Sequence, residues 1–248
     1  RRAIPVHPNG PGSPACRVRC SWTHHPRADR RAASGHTCVR HAGCGVPKWD
    51  GEAAVARQDA WIRWDRLDDK VIGVFLPGAL ESLRQALEWF RQVMVGRQRA
   101  YRMDDPTSAA LGMPLPTRTV RYPPLRAAFA LEFPQGTPDW MVLWWEPDVV
   151  RAWHNAAVTL LDSLPDEDYI VELDEDLIRA WKYTLPLLWT AFGVNLGVVD
   201  LPDGTTEEDM RLMPASYQPG GTPGHRQFLE WLREILDNLD QLAPSATP

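Results

Sequence analysis

Beyond residue 50 the chain has no cysteine, and from Gly51 to Pro248 it is short of positive charge, with 18 Lys/Arg against 30 Asp/Glu. The first absence confines any thiolate metal or redox chemistry to the opening fifty residues. The second argues against non-specific nucleic-acid binding by the larger part, because phosphate contacts need a Lys/Arg footprint. Long apolar runs are missing too. The best stretch, Leu185 to Val199, is interrupted by Pro186, Asn195 and two glycines, and falls short of the roughly 18 apolar residues that a membrane span needs. Residues 1–50 hold no apolar signal-peptide core, so the expectation is a soluble cytoplasmic protein with no membrane partner. No glycine-rich phosphate loop follows a strand, since Gly220-Gly221-Thr222-Pro223-Gly224 is interrupted by proline and lacks a lysine.

What the chain does contain divides it. Residues 1–50 carry nine Lys/Arg against two Asp/Glu, all four cysteines and five of the seven histidines. Clusters such as Pro8-Asn9-Gly10-Pro11-Gly12-Ser13-Pro14 show neither helical nor strand periodicity, and only a metal or disulfides would order such a segment. The first 45 or so residues read either as a coreless appendage or as upstream translation of a GC-rich frame. The length leaves room for one medium domain beside it. The expected division is a basic Cys/His-containing tail at 1–50, an α-rich globular domain at 51–243 and a frayed end at 244–248.

Within the larger part, Lys70 to Leu76 (KVIGVFL) is rich in β-branched and aromatic residues and closes at Pro77-Gly78, which predicts a short strand and a turn. Leu80, Leu83, Leu87, Phe90 and Met94 recur at spacings of three and four, predicting a helix from Ala79 to Val95 that stops at Gly96. Arg97 to Pro138 is broken by prolines around one apolar stretch, Leu125 to Phe133, and reads as a long loop holding a short helix. A second helix is expected to open at Pro147, where proline suits a first turn and Asp148 suits the positive end of the helix dipole. Tyr169 to Leu173 predicts another strand, and Asp174 caps a third helix carrying Ile178, Trp181, Leu185, Leu188 and Phe192 with Pro186 inside it. A last helix spans Pro223 to Leu242. The fold class expected is therefore mainly α, with four or five amphipathic helices, one small two-stranded ribbon and an irregular Cys/His-rich tail in front.

The chemistry-bearing residues are few. Cys16-x3-Cys20 and Cys38-x5-Cys44, interleaved with His24, His25, His36 and His41, supply the thiolates and imidazoles that zinc takes, with the second pair spaced wider than the usual two to four residues. Reduced cysteines in a coreless tail, and a thiol switch closing Cys16 onto Cys20, are the other readings. Trp153, Trp181 and Trp231 fall on apolar helix stripes and are expected in the core. Trp144 and Trp145 are adjacent and cannot face the same way, so one of them is expected at the surface or in an interface. His154 has no nucleophile elbow beside it and is read as a surface residue. The acidic runs at Asp174 and Glu207 fit helix starts, and none pairs with a Glu-x-x-His motif.

The order of elements over residues 71–242 resembles the actinobacterial family that contains the oxidative-stress regulator AosR. The resemblance is carried by a strand and helix (Val71 to Gly96), a Tyr-Pro closing an irregular stretch (Tyr122-Pro123), and a helix ending Leu-Leu-x-x-Leu-Pro (Leu160 to Pro165). A Val-x-Leu strand entering a helix with one tryptophan follows (Val171 to Trp181), then an LGV turn and a terminal Trp-Leu helix (Leu196 to Leu242). The resemblance implies a small intracellular regulator acting through a protein partner such as a sigma factor, with redox input through a Cys-x3-Cys pair. Here that pair, Cys16 and Cys20, lies outside the resembling region. The leading expectation is thus a non-enzymatic regulatory or interaction protein. The alternative is a zinc-containing nucleic-acid-binding protein, with Cys16, Cys20, Cys38 and Cys44 on the metal and the arginines of the tail on phosphate. An enzyme with a tryptophan-lined pocket is the third reading.

Overall fold

A computed structural model describes residues 62–67, 69–104, 106–111, 116–166 and 168–242. The four cysteines, the basic tail and the C-terminal end lie outside these residues. Three strands form one antiparallel sheet in the order β1-β2-β3: β1 is Ile62–Leu67, β2 is Lys70–Phe75 and β3 is Ile170–Leu173. The two-stranded ribbon expected from the sequence is therefore a three-stranded sheet, with β2 in the middle. β1 escapes a composition-based reading because three of its six residues, Arg63, Asp65 and Arg66, are charged. As an edge strand it tolerates them. Its pairing with β2 runs from Ile62 opposite Phe75 to Leu67 opposite Lys70, leaving two residues for the connection, the commonest hairpin length.

Val71, Gly73 and Phe75 of β2 alternate toward the helices, as a period of two requires. Gly73 is glycine for a packing reason. A β-carbon there would sit 2.6 Å from the ring of Trp64, its direct cross-strand partner. The indole lies over the missing side chain and meets Phe75 and Trp181 edge-on at 6.2 and 6.1 Å.

Helix α1 spans Pro77–Asp104 and does not stop at Gly96. A glycine inside a helix costs only about 1 kcal/mol relative to alanine, and the residues beyond it offset that cost, since Tyr101 is buried and Arg97 reaches a buried carboxylate. α2 (Pro106–Ala110) is a single turn, and α3 (Pro123–Glu132) begins on the Tyr122-Pro123-Pro124 cluster, with proline in its first turn where no amide donor is needed. α4 runs Asp139–Ser163, two turns longer at its N-terminus than expected, with Pro147 inside it. α5 (Glu175–Asn195) is capped by Asp174, whose carboxylate accepts from the Leu177 amide at 2.8 Å. The short α6 (Glu207–Met210) begins in a capping box between Thr206 and Asp209. α7 is Pro223–Leu242, as the sequence predicts.

The core forms where α1, α3, α4, α5 and α7 meet beneath the sheet. Trp153, Trp181 and Trp231 are all buried in it, as expected from their stripes. The indole nitrogens of the first two are satisfied, Trp153 by Glu132 and Trp181 by Ser163, each at 3.0 Å. Among the described residues no helix is long and apolar enough to cross a membrane.

Candidate interaction face

The first turns of α4 turn the usual arrangement of a helix inside out. Extending the inward stripe of Val150, Trp153, Ala157 and Leu160 backward at the same spacing lands on position 146. That position is occupied by Glu146, which is wholly buried. The large apolar residues around it face solvent instead, with Trp140 67 %, Trp144 60 % and Trp145 52 % exposed. The expectation that one of the adjacent pair would be outward is corrected: both are, because Glu146 holds the inward position. Trp140 and Trp144 are four apart and share one outward stripe.

Glu146 is held from α1. Its Oε1 accepts from Arg97 Nε at 2.5 Å and from the Tyr101 hydroxyl at 2.7 Å. The Arg97 guanidinium also lies 5.0 Å over the Tyr101 ring and donates to the Arg118 carbonyl at 2.8 Å. Glu146 Oε2 is buried without a partner among the described residues. α1 and α4 run antiparallel, as Arg84 reaching the Pro165 carbonyl at the opposite end shows. The buried pair therefore fastens the end of α1 to the part of α4 that displays the tryptophans. One residue farther along, Pro147 removes an amide donor from the helix. The tertiary contact with α1 helps offset the roughly 3 kcal/mol that an interior proline costs.

Burial and the neighbouring Glu146 charge push the Tyr101 hydroxyl well above the ordinary phenol range, and Tyr183, which donates to Glu132 at 3.0 Å, is pushed up to about 12 by burial and by Glu132. Unfolded tyrosine ionises near pH 10. The folded state therefore keeps protons that the unfolded state releases, and this stabilisation is present below about pH 10 and lost as pH rises beyond it. In an alkaline titration followed by phenolate absorbance, Tyr101 and Tyr183 are expected to ionise above the ordinary phenol range. Tyr101→Phe should remove the last step, and its persistence would count against the assignment.

Beside the first turn of α4, the surface opens into a concavity of about 890 Å³ between α3 and the segment 200–209. Phe129 and Phe133, stacked at 5.8 Å, and Val142 give it an apolar wall. Arg121 and Arg126 also line it, but both are engaged. Arg121 bonds Asp209 and Glu208 at 2.9 Å each, and Arg126 reaches Asp209 at 3.5 Å and the Asp203 carbonyl at 2.5 Å. The Arg121 guanidinium and the Thr206 hydrogen bonds hold Glu208 and Asp209, respectively, below the usual carboxylate range. This network ties the 200–209 segment to α3 and to the residues before it.

His154 is half-buried, and its ring faces the Asn155 side chain at 3.4 Å. No group of three His, Cys, Asp or Glu residues suited to a metal occurs among the described residues. Sequence reasoning missed Glu146, Trp140 as a surface residue, and the concavity. The signal for Glu146 was available in the backward extension of the stripe, but starting the helix at Pro147 hid it. For the concavity no sequence signal exists, since its wall joins residues from 119–142 to residues from 200–209. The fold and face define a helical domain with a small antiparallel sheet and an outward tryptophan cluster. Comparison with known proteins finds no matching family model, no matching curated protein and no matching solved structure.

Proposed function

We propose that this chain is a non-enzymatic regulatory protein that works by docking a protein partner on the first half of α4. The observation supporting this reading is the inversion of that helix, with three tryptophans held in solvent while a glutamate occupies the core position. Exposing three large aromatic rings forgoes hydrophobic stabilisation, and tryptophan is the residue most enriched at binding hot spots. Local rules broken in this way mark functional positions more often than structural ones. The resemblance to the AosR-containing family supports a partner in transcription, such as a sigma factor, and Cys16 and Cys20 would add redox input to the same regulator.

The test is paired. Trp140→Ala and Trp144→Ala are expected to change stability by no more than about 0.5 kcal/mol, as surface substitutions do. Each is expected to weaken partner binding by more than about 1 kcal/mol, as loss of an interface anchor does. Thermal melts and affinity capture from the native cell, compared with the unaltered protein, read both quantities. Captured proteins that stay bound to both variants would refute the reading.

A further inference from the structure

The concavity beside α4 says what kind of partner the face accepts. Five carboxylates line it, Asp139, Asp200, Asp203, Glu208 and Asp209, against two guanidinium groups, Arg121 and Arg126, which leaves a formal charge of −3. Both arginines are consumed by Glu208 and Asp209. The carboxylates of Asp139, Asp200 and Asp203 are exposed and carry no ion pair among the described residues. They line the same concavity as the apolar side chains of Phe129, Phe133 and Val142. The same first turn of α4 that places Asp139 and Val142 in this wall carries Trp140, whose ring is free to stack on a cation.

We infer that the concavity receives a Lys/Arg-bearing segment of a protein partner, with apolar side chains against Phe129 and Phe133, cationic ends on Asp139, Asp200 and Asp203, and a guanidinium or ammonium on Trp140. The inference rests on the docking reading above and names the chemistry of the partner. Charge complementarity selects this occupant. A nucleic-acid backbone or an anionic lipid surface would bring phosphate to a wall whose two cations among the described residues, Arg121 and Arg126, are already neutralised, and phosphate binding needs unpaired Lys/Arg. An acidic peptide meets the same repulsion. At about 890 Å³ the concavity is also in the size range of preformed binding sites, about 300–1,000 Å³.

The experiment uses the full chain and follows tryptophan fluorescence and titration calorimetry. The probes are a synthetic peptide alternating Leu with Arg and Lys, an acidic peptide of equal length and leucine content, a single-stranded oligonucleotide, vesicles containing phosphatidylserine, and spermine. The basic peptide is expected to bind saturably, to weaken with salt, and to outbind each other probe at least tenfold. Asp200→Asn combined with Asp203→Asn should lower its affinity at least tenfold while leaving the melt unchanged, since both side chains are exposed and unpaired. Asp139→Asn, at the start of α4 rather than in the 200–209 segment, gives an independent second variant. Equal or tighter binding of any other probe, or unchanged peptide affinity in both sets of variants, overturns the inference. If that happens while partner capture is still lost in Trp140→Ala and Trp144→Ala, the docking reading stands and only the basic-segment inference fails. Capture that survives the tryptophan substitutions removes the docking reading itself.

Discussion

Arg97→Ala is expected to destabilise the protein by about 3–5 kcal/mol at neutral pH, the cost of orphaning one member of a buried ion pair. Glu146 is wholly buried and the Arg97 side chain is only 14 % exposed, so solvent cannot take over the role of the lost partner. At this chain length a loss of that size lowers the midpoint of thermal unfolding by roughly 10 °C. Without Arg97 the buried Glu146 carboxylate keeps, among the described residues, only the Tyr101 hydroxyl as a donor, and a buried charge left without its counter-charge carries the penalty.

A double replacement, Arg97→Met with Glu146→Met, should recover most of the loss, because the cost lies in the unpaired charge rather than in the absence of the pair. Denaturant unfolding of the three proteins at pH 7 decides the matter. A double variant no more stable than Arg97→Ala would mean that packing around the Arg97 stem matters more than its charge.

Trp153→Ala is expected to cost about 3–5 kcal/mol, the range for deleting a large buried aromatic side chain. Trp153 has no exposed surface and joins three helices: its ring lies 6.3 Å from Phe90 of α1 and 4.8 Å from Phe129 of α3. Its indole N–H also satisfies Glu132, which would be left with Tyr183 alone. Trp153→Phe keeps most of the volume and loses only the hydrogen bond, so it should cost clearly less than the alanine variant. Thermal and denaturant unfolding would distinguish the two, and equal losses would assign the cost to the Glu132 hydrogen bond.

Periodicity and capping chemistry act locally, and the elements they govern are legible in the sequence. The last helix matches at both ends because Pro223 opens it and one apolar stripe, Phe228 to Leu239, runs its length. Asp174 and the Thr206–Asp209 pair behave as helix starts for the same local reason. The failures came where distant contacts outweighed a local breaker. Gly96 and Pro147 both sit inside helices because Arg97, Tyr101 and Glu146 bind one another across α1 and α4. β1 was missed because its pairing with β2 outweighs its charged composition.

The amino-acid pattern by itself determined the helical class, the strands around Val71 and Val171, the buried tryptophans on their stripes, and the charge division between the first fifty residues and the rest. These follow from spacing and composition, which act along the chain. The outward turn of Trp140, Trp144 and Trp145, the buried Arg97–Glu146 pair and the acidic concavity were decided by the tertiary structure alone. Each depends on which side chain of one element meets which of another, and no property of a single segment encodes that meeting.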